Sequence, residues 1–371
     1  MLSGCGAVGS ALPWGGRGRP FKSGHSDQRA VPASIQCSGR DAGALWFFCP
    51  SEVRADKGCD LLSKQKKLLP PALAVLLVTA MTAAAELSGE TEILFPEMAA
   101  VSAGALASPG FPWKTSPLRM LLMLFCGAVT GTLIVRFVPL PFAVQLCLAF
   151  LTASVLLLCS RTSFAPVISA VVLPVMMQKG SAVYPAAAFL LTAAVIAARC
   201  AMERKKLLKP VPFEKMPLPG RREIAGMLLR WCFGCFVILF AVRSGQRMIA
   251  APPLLVAYTE FCSPGSEAQR QPLRISLMIA LCALTGALLR YAAVTLGIFA
   301  FPAAGLAFAF VLAMMSDTGL FLPPAAALTL LAFLVPERAL LLYPVQVLAG
   351  ALFFTGLAAV HGRARLSGNH R

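Results

Sequence analysis

From Leu68 onward, apolar runs alternate with short polar breaks. Their limits fall near 68–86, 93–107, 118–138, 141–159, 164–178 and 182–200. A polar stretch interrupts the pattern, which then restarts at 225–242, 249–262, 273–296, 298–315, 320–335 and 339–360. Runs of about 20 residues are long enough to cross a bilayer as helices; runs nearer 15 predict tilted, re-entrant or broken segments. The pattern predicts an all-α polytopic membrane protein, with two homologous parallel repeats of four to six transmembrane or re-entrant helices each.

The restart repeats residues as well as hydropathy. Ser88-Gly89 recurs as Ser244-Gly245 and Pro96 as Pro252, whereas Pro117-Leu118-Arg119 recurs as Pro272-Leu273-Arg274 and Thr130-Gly131 as Thr285-Gly286. Phe164 and Pro166 return as Phe321 and Pro323, and Tyr184-Pro185 as Tyr343-Pro344. Conserved order and nearly constant offset point to one duplicated unit. The expected organisation is an extension without structure at 1–67, a first repeat at 68–200, a basic linker at 201–224, a second repeat at 225–360 and a basic tail at 361–371. The extension reads as either an over-extended start or a targeting segment.

Composition reinforces the class. The 371 residues are 58% hydrophobic and 13% charged, far from the roughly 25% charged of a soluble domain. Thirty-three basic residues against sixteen acidic ones leave +17, but the basic residues lie mainly between apolar runs, so they report topology rather than nucleic-acid binding. Lys64 to Lys67, the linker, and Arg363 with Arg365 are the basic tracts, all expected in the cytoplasm. An even number of crossings per half follows, and with it parallel repeats.

Cys232-x-x-Cys235 sits within an apolar run and lacks a second pair at zinc-site spacing, so redox or metal chemistry is not expected there. The three histidines lie outside the apolar runs, and no HExxH or GxxxxGK[ST] occurs. Metalloprotease and built-in P-loop ATPase readings therefore fail, and no enzyme activity, cofactor or metal is expected. Candidate binding residues are Pro96, Pro166, Pro252, Pro323 and Pro324, because a proline inside a helix frees carbonyls. Such breaks in corresponding segments point to a transport site, with ordinary proline kinks as the competing reading. Arg119 and Arg274, each after Pro-Leu at the start of a long run, could place a cation near a cavity mouth, and otherwise snorkel to the interface. Arg161 and Asp317, at equivalent repeat positions, are candidates for a gating pair, or else separate loop charges. Glu97 and Glu260 are proton-relay candidates; solvation at the interface is the competing reading. Gly127-x-x-x-Gly131 and Cys282-x-x-x-Gly286 are expected to serve helix packing.

The order of Pro96, Ser116-Pro117-Leu118-Arg119, Gly127-Ala-Val-Thr-Gly131, Phe164-Ala165-Pro166 and Tyr184-Pro185, repeated with Leu322-Pro323-Pro324, resembles the HPP family of integral membrane proteins. The family's His-Pro-Pro histidine is replaced here, and the first half keeps one proline of the pair. The resemblance covers about 68–200 and 225–360 and implies a tandem form of a unit usually found singly. It implies a permease-like role and hints at a small anion such as nitrite. The reading is a permease or channel for a small solute, without its own ATPase; the alternative is a non-transporting scaffold or accessory subunit. Expected partners are the lipid bilayer and a small-molecule or ionic substrate, with no nucleic acid and with room for a homo-oligomer. The expected location is the bacterial inner membrane, ahead of a plastid membrane.

Overall fold

A computed structural model describes residues 52–210, 216–263 and 266–368, with side chains from 67 to 360 within those ranges. The predicted extension at 1–51 lies outside the described residues, as do 211–215 of the linker and 369–371 of the tail. The chain runs through α1 (Glu52–Ser88), α2 (Glu97–Ser102), α3 (Pro117–Phe137), α4 (Phe142–Ser160), α5 (Pro166–Met177) and α6 (Val183–Arg204). It continues with α7 (Arg221–Arg243), α8 (Pro252–Phe261), α9 (Glu267–Arg270), α10 (Pro272–Leu296), α11 (Ala300–Thr318), α12 (Pro323–Leu331), α13 (Glu337–Leu340) and α14 (Tyr343–Gly368). Residues 52–67, expected to lack structure, instead begin α1.

Among the described residues eight helices are long and apolar enough to cross a membrane: α1 from Lys67, and α3, α4, α6, α7, α10, α11 and α14. The protein is thus an all-helical, polytopic membrane protein. The shorter apolar segments form α2, α5, α8 and α12. Each series therefore runs long, short, long, long, short, long, with α9 and α13 as single turns in connections of the second.

Burial explains the difference in length. The long helices leave Leu122, Leu133, Phe236, Phe240, Leu288 and Phe310 exposed, as a lipid-facing surface requires. All nine residues of α12 and all of α5 but its last are buried. A helix apolar on every side must be enclosed. The four short helices close into a ring: α2 touches α5 and α12, and α8 touches the same two. Shielded by the long helices, they need not match the thickness of the bilayer.

Small residues set the approach of long to short helices. A Cβ on Gly131 would overlap the carbonyl oxygen of Val171 in α5, and one on Gly286 that of Thr329 in α12. Tyr184 of α6 donates to Ala170 O at 3.3 Å, and Tyr343 of α14 to Leu328 O at 2.5 Å. The first tyrosine has a clear purpose: Pro174 has no N–H for the carbonyl four residues earlier, and the phenol supplies that missing donor.

The first helix of each series packs on the fourth of the other. Trp231 of α7 donates to Cys147 O in α4 at 3.0 Å, with Gly234 against the Phe150 ring. Across the bundle, Gly305 of α11 lies against Thr79 of α1, and the Glu86 carboxylate accepts from Ala300 N and Phe301 N at 2.8 and 2.9 Å. Those amides open α11 and have no partner within it. Glu86→Ala should destabilise the purified protein by about 1.5 kcal/mol, as expected for losing hydrogen bonds to a charged group. Glu86→Gln, with one acceptor oxygen, should lose about half of that. Heating in detergent followed by size-exclusion chromatography reads both, and an unchanged Glu86→Ala would show that the cap contributes nothing.

Candidate functional site

One end of the bundle gathers the linker and the ends of both series. Arg161, which caps the end of α4, donates through Nε to Met216 O in the linker at 2.8 Å, while Met216 N donates back to Arg161 O at 3.3 Å. Lys67, Ser108, Lys206 and Asp317 line a common cavity at that end. Ser276, near the start of α10, meets Thr355 of α14 at 2.9 Å. Arg247 lies at the other end, over the Phe142 ring at 4.6 Å.

A cavity of about 300 Å³ opens where α4 of the first series meets α7, α8 and linker residues Met216–Pro219. Its polar lining includes Arg161, Ser163, Glu223, Arg230, Thr259 and Glu260. Arg161 ends α4 in the left-handed region at φ 54°, where glycine is the usual occupant. Its counterpart at the end of α11 is Gly319, at φ 67°. A second cavity, about 900 Å³, lies between α1, the end of α2's segment, the start of the linker and α11. It has the corresponding place in the other series but is mostly apolar, lined by Pro70, Leu106, Leu312 and Phe321 beside Lys67 and Lys206.

Arg161 and Asp317 therefore do not form the expected pair. Each stands at the end of its series' fourth helix, and that helix abuts the first helix of the other series, so the two charges face different cavities. Among the described residues the ion pair is Arg199 with Glu203, at 2.8 Å.

Arg119 and Arg274 do equivalent work, though not at a cavity mouth. Arg119 donates to Ser160 O at 3.1 Å and Arg274 to Thr318 O at 3.3 Å. These are the last residues of α4 and α11, whose carbonyls are unpaired within the helix and carry partial negative charge. The prolines also differ from expectation. Pro96 precedes α2, Pro166, Pro252 and Pro323 open α5, α8 and α12, and Pro324 is second in α12. At a helix start proline removes no bond, so these residues define where the short helices begin and free no carbonyl.

The two carboxyl groups are the larger surprise. Glu97 is the first residue of α2 and is 1% exposed, far from interfacial solvation. It accepts from Ser169 Oγ in α5, while its other oxygen, Oε2, is buried without a partner. Glu260, at the end of α8, lines the smaller cavity and accepts from Trp113 Nε1 at 3.1 Å. The Trp113 ring occupies the space above Gly104, where a Cβ would collide with it. Gly104 belongs to the π-helical turn Ala103–Ala107 that continues α2. A line of contacts thus runs from the cavity wall through Glu260 and Trp113 to the helix bearing Glu97. Trp113 carried no sequence signal beyond being an aromatic residue in a loop.

Among the described residues no group of three His, Cys, Asp or Glu side chains could hold a metal. Comparisons with family models, with curated proteins and with solved structures found no match to this chain.

Proposed function

We propose that this protein is a permease or channel for a small solute, preferentially a small anion, and that its two series are homologous parallel repeats of the kind the HPP family carries singly. The observation that carries this reading is the 300 Å³ cavity between the halves, where Arg161 and Arg230 stand with Ser163 and Thr259 at the edge of the short-helix ring. Guanidinium groups beside hydroxyls suit an oxyanion of nitrite size. The matched caps by Arg119 and Arg274 and the matched tyrosine bonds support a common ancestry of the halves. The basic end of the bundle is assigned to the cytoplasm by the positive-inside tendency, in a bacterial inner membrane. Solute movement would be secondary, channel-like, or driven by a separate subunit.

Purified protein in liposomes, offered a panel of small anions including nitrite, tests the proposal. Flux above empty vesicles is expected for at least one anion, and Arg161→Gln should lower it about tenfold, the loss of one charge-assisted hydrogen bond. The tight backbone contacts at Gly131 and Gly286 favour a second reading, a packed scaffold or accessory subunit. No flux across the panel would select it.

A further inference from the structure

Glu97 and Ser102 hold the buried side-chain oxygens that lack a hydrogen-bond partner among the described residues, and both residues are on α2. Polar groups inside a membrane bundle are costly unless paired, so two on one six-residue helix call for an explanation. The surroundings of Glu97 offer no positive charge. The helices packed against α2 are α5, α6 and α12. Neither α5 nor α12 contains a titratable side chain. From α6, Tyr184 faces Glu97, with its hydroxyl directed to Ala170 O and its ring against Phe95 at 5.6 Å. Arg199 of α6 serves the far end of the segment, donating to Ala105 O and Glu203. Met81 of α1 accepts from Phe95 N.

We propose that Glu97 is a proton-binding site that gives the protein its coupling ion. An ionised carboxylate with one side-chain hydroxyl donor and no cation nearby is strongly disfavoured in such a setting, whereas the neutral acid has no charge to be solvated. A divalent cation takes about six oxygen ligands, and Glu97 with Ser169 provides two side chains. A proton needs only the carboxyl oxygen. The O–H bond forms with a proton from water on one side and breaks to water on the other when α2 and α5 part; no electron moves.

The way α2 is built allows such a movement. Its continuation is a π-helical turn, a rare form found mostly at functional sites, and Trp113 rests on that turn at Gly104 while bonded to Glu260 in the cavity wall. A solute arriving beside Glu260 therefore acts, through one indole ring, on the helix that carries the proton. This coupling rests on the permease reading; the protonation of Glu97 does not.

Infrared spectroscopy of the purified protein at neutral pH tests the proton site. The wild type should show the carbonyl stretch of a buried, protonated carboxylic acid. Glu97→Gln, an isosteric neutral side chain, should fold and lose that band, whereas Ser169→Ala should shift it by removing its hydrogen-bond donor. A spectrum unchanged by both substitutions overturns the assignment, and should Glu97→Gln not fold, the Ser169→Ala shift decides alone. Uptake by proteoliposomes of the anion panel under an imposed pH gradient tests the coupling. Acceleration by the gradient in the wild type, lost in Glu97→Gln, supports it; flux indifferent to the gradient overturns it. No flux at all overturns the permease reading and the coupling with it, while the infrared band still decides whether Glu97 holds a proton.

Discussion

Replacing Gly286 with valine should remove most of the folded protein recovered from membranes. The helix α10 touches α12 so closely there that a Cβ would overlap the carbonyl oxygen of Thr329, with the carbonyl carbon and Cα of the same residue also within about 3.0 Å. Backbone cannot rotate away as a side chain can, so the helices must separate. Separation also strains Thr329 Oγ1, which donates to Cys282 O at 3.1 Å across the same contact. Overpacking of this kind costs about 3 kcal/mol or more, a large part of the stability of an ordinary domain. Gly131→Val, which meets Val171 O and Pro174 in the same way, should behave alike. Gly356→Ala on α14, with nothing within 4 Å, should instead be neutral or stabilise by about 0.5 kcal/mol through helix propensity. Yield and unfolding temperature in detergent distinguish these cases, and a Gly286→Val protein as stable as wild type would disprove the close approach.

Arg290→Met should be nearly as damaging, for an electrostatic reason. The guanidinium of this α10 residue donates through Nη1 to Ala332 O and Val335 O, both at 2.5 Å. These carbonyls belong to the segment leaving the end of α12, where helix carbonyls have no partner in the helix. Methionine keeps most of the length and the apolar stem but leaves both oxygens without a donor inside the bundle. Orphaning them costs about 1–3 kcal/mol each. Arg290→Lys, a charged donor on a flexible stem without the planar fork, should recover part of the loss. Thermal unfolding of the three proteins gives the order wild type, lysine, methionine; equal midpoints for wild type and methionine would show that the carbonyls find other donors.

The helix boundaries were largely legible because they follow one local variable, hydropathy. Apolar limits at 118–138 and 273–296 became α3 at Pro117–Phe137 and α10 at Pro272–Leu296. The short segments were equally visible, and prolines 166, 252 and 323 marked their starts, although as first residues and not as kinks. Which residues would be apolar on every side was also readable from α5 and α12, whose sequences have no polar face. Long-range choices were hidden. Nothing local to Glu97 says that α5 will cover it, and nothing local to Trp113 says that its indole will meet a carboxylate 147 residues away. The pairing of Arg161 with Asp317 failed for a related reason: the residue that ends α11 as Arg161 ends α4 is Gly319, and the two helices pack against different partners. Arg119 and Arg274 carried a readable repeat signal, but the carbonyls they satisfy are 41 and 44 residues further on.

The exchange of first helices between the two series bears on how such a molecule can be assembled. Each half lends a helix to the other, since α4 packs on α7 and α11 on α1. Expressed as two polypeptides divided within the linker, the halves should be poorly soluble apart yet recombine when made together, as two interlocking hooks hold only when both are present. The covalent linker then serves stoichiometry: it guarantees one partner for every half and replaces a search in the membrane plane with a closure within one chain. It also lets the two halves differ, which a pair of identical subunits could not do: one side of the ring holds Glu97 after Pro96, and the other holds Pro253 after Pro252.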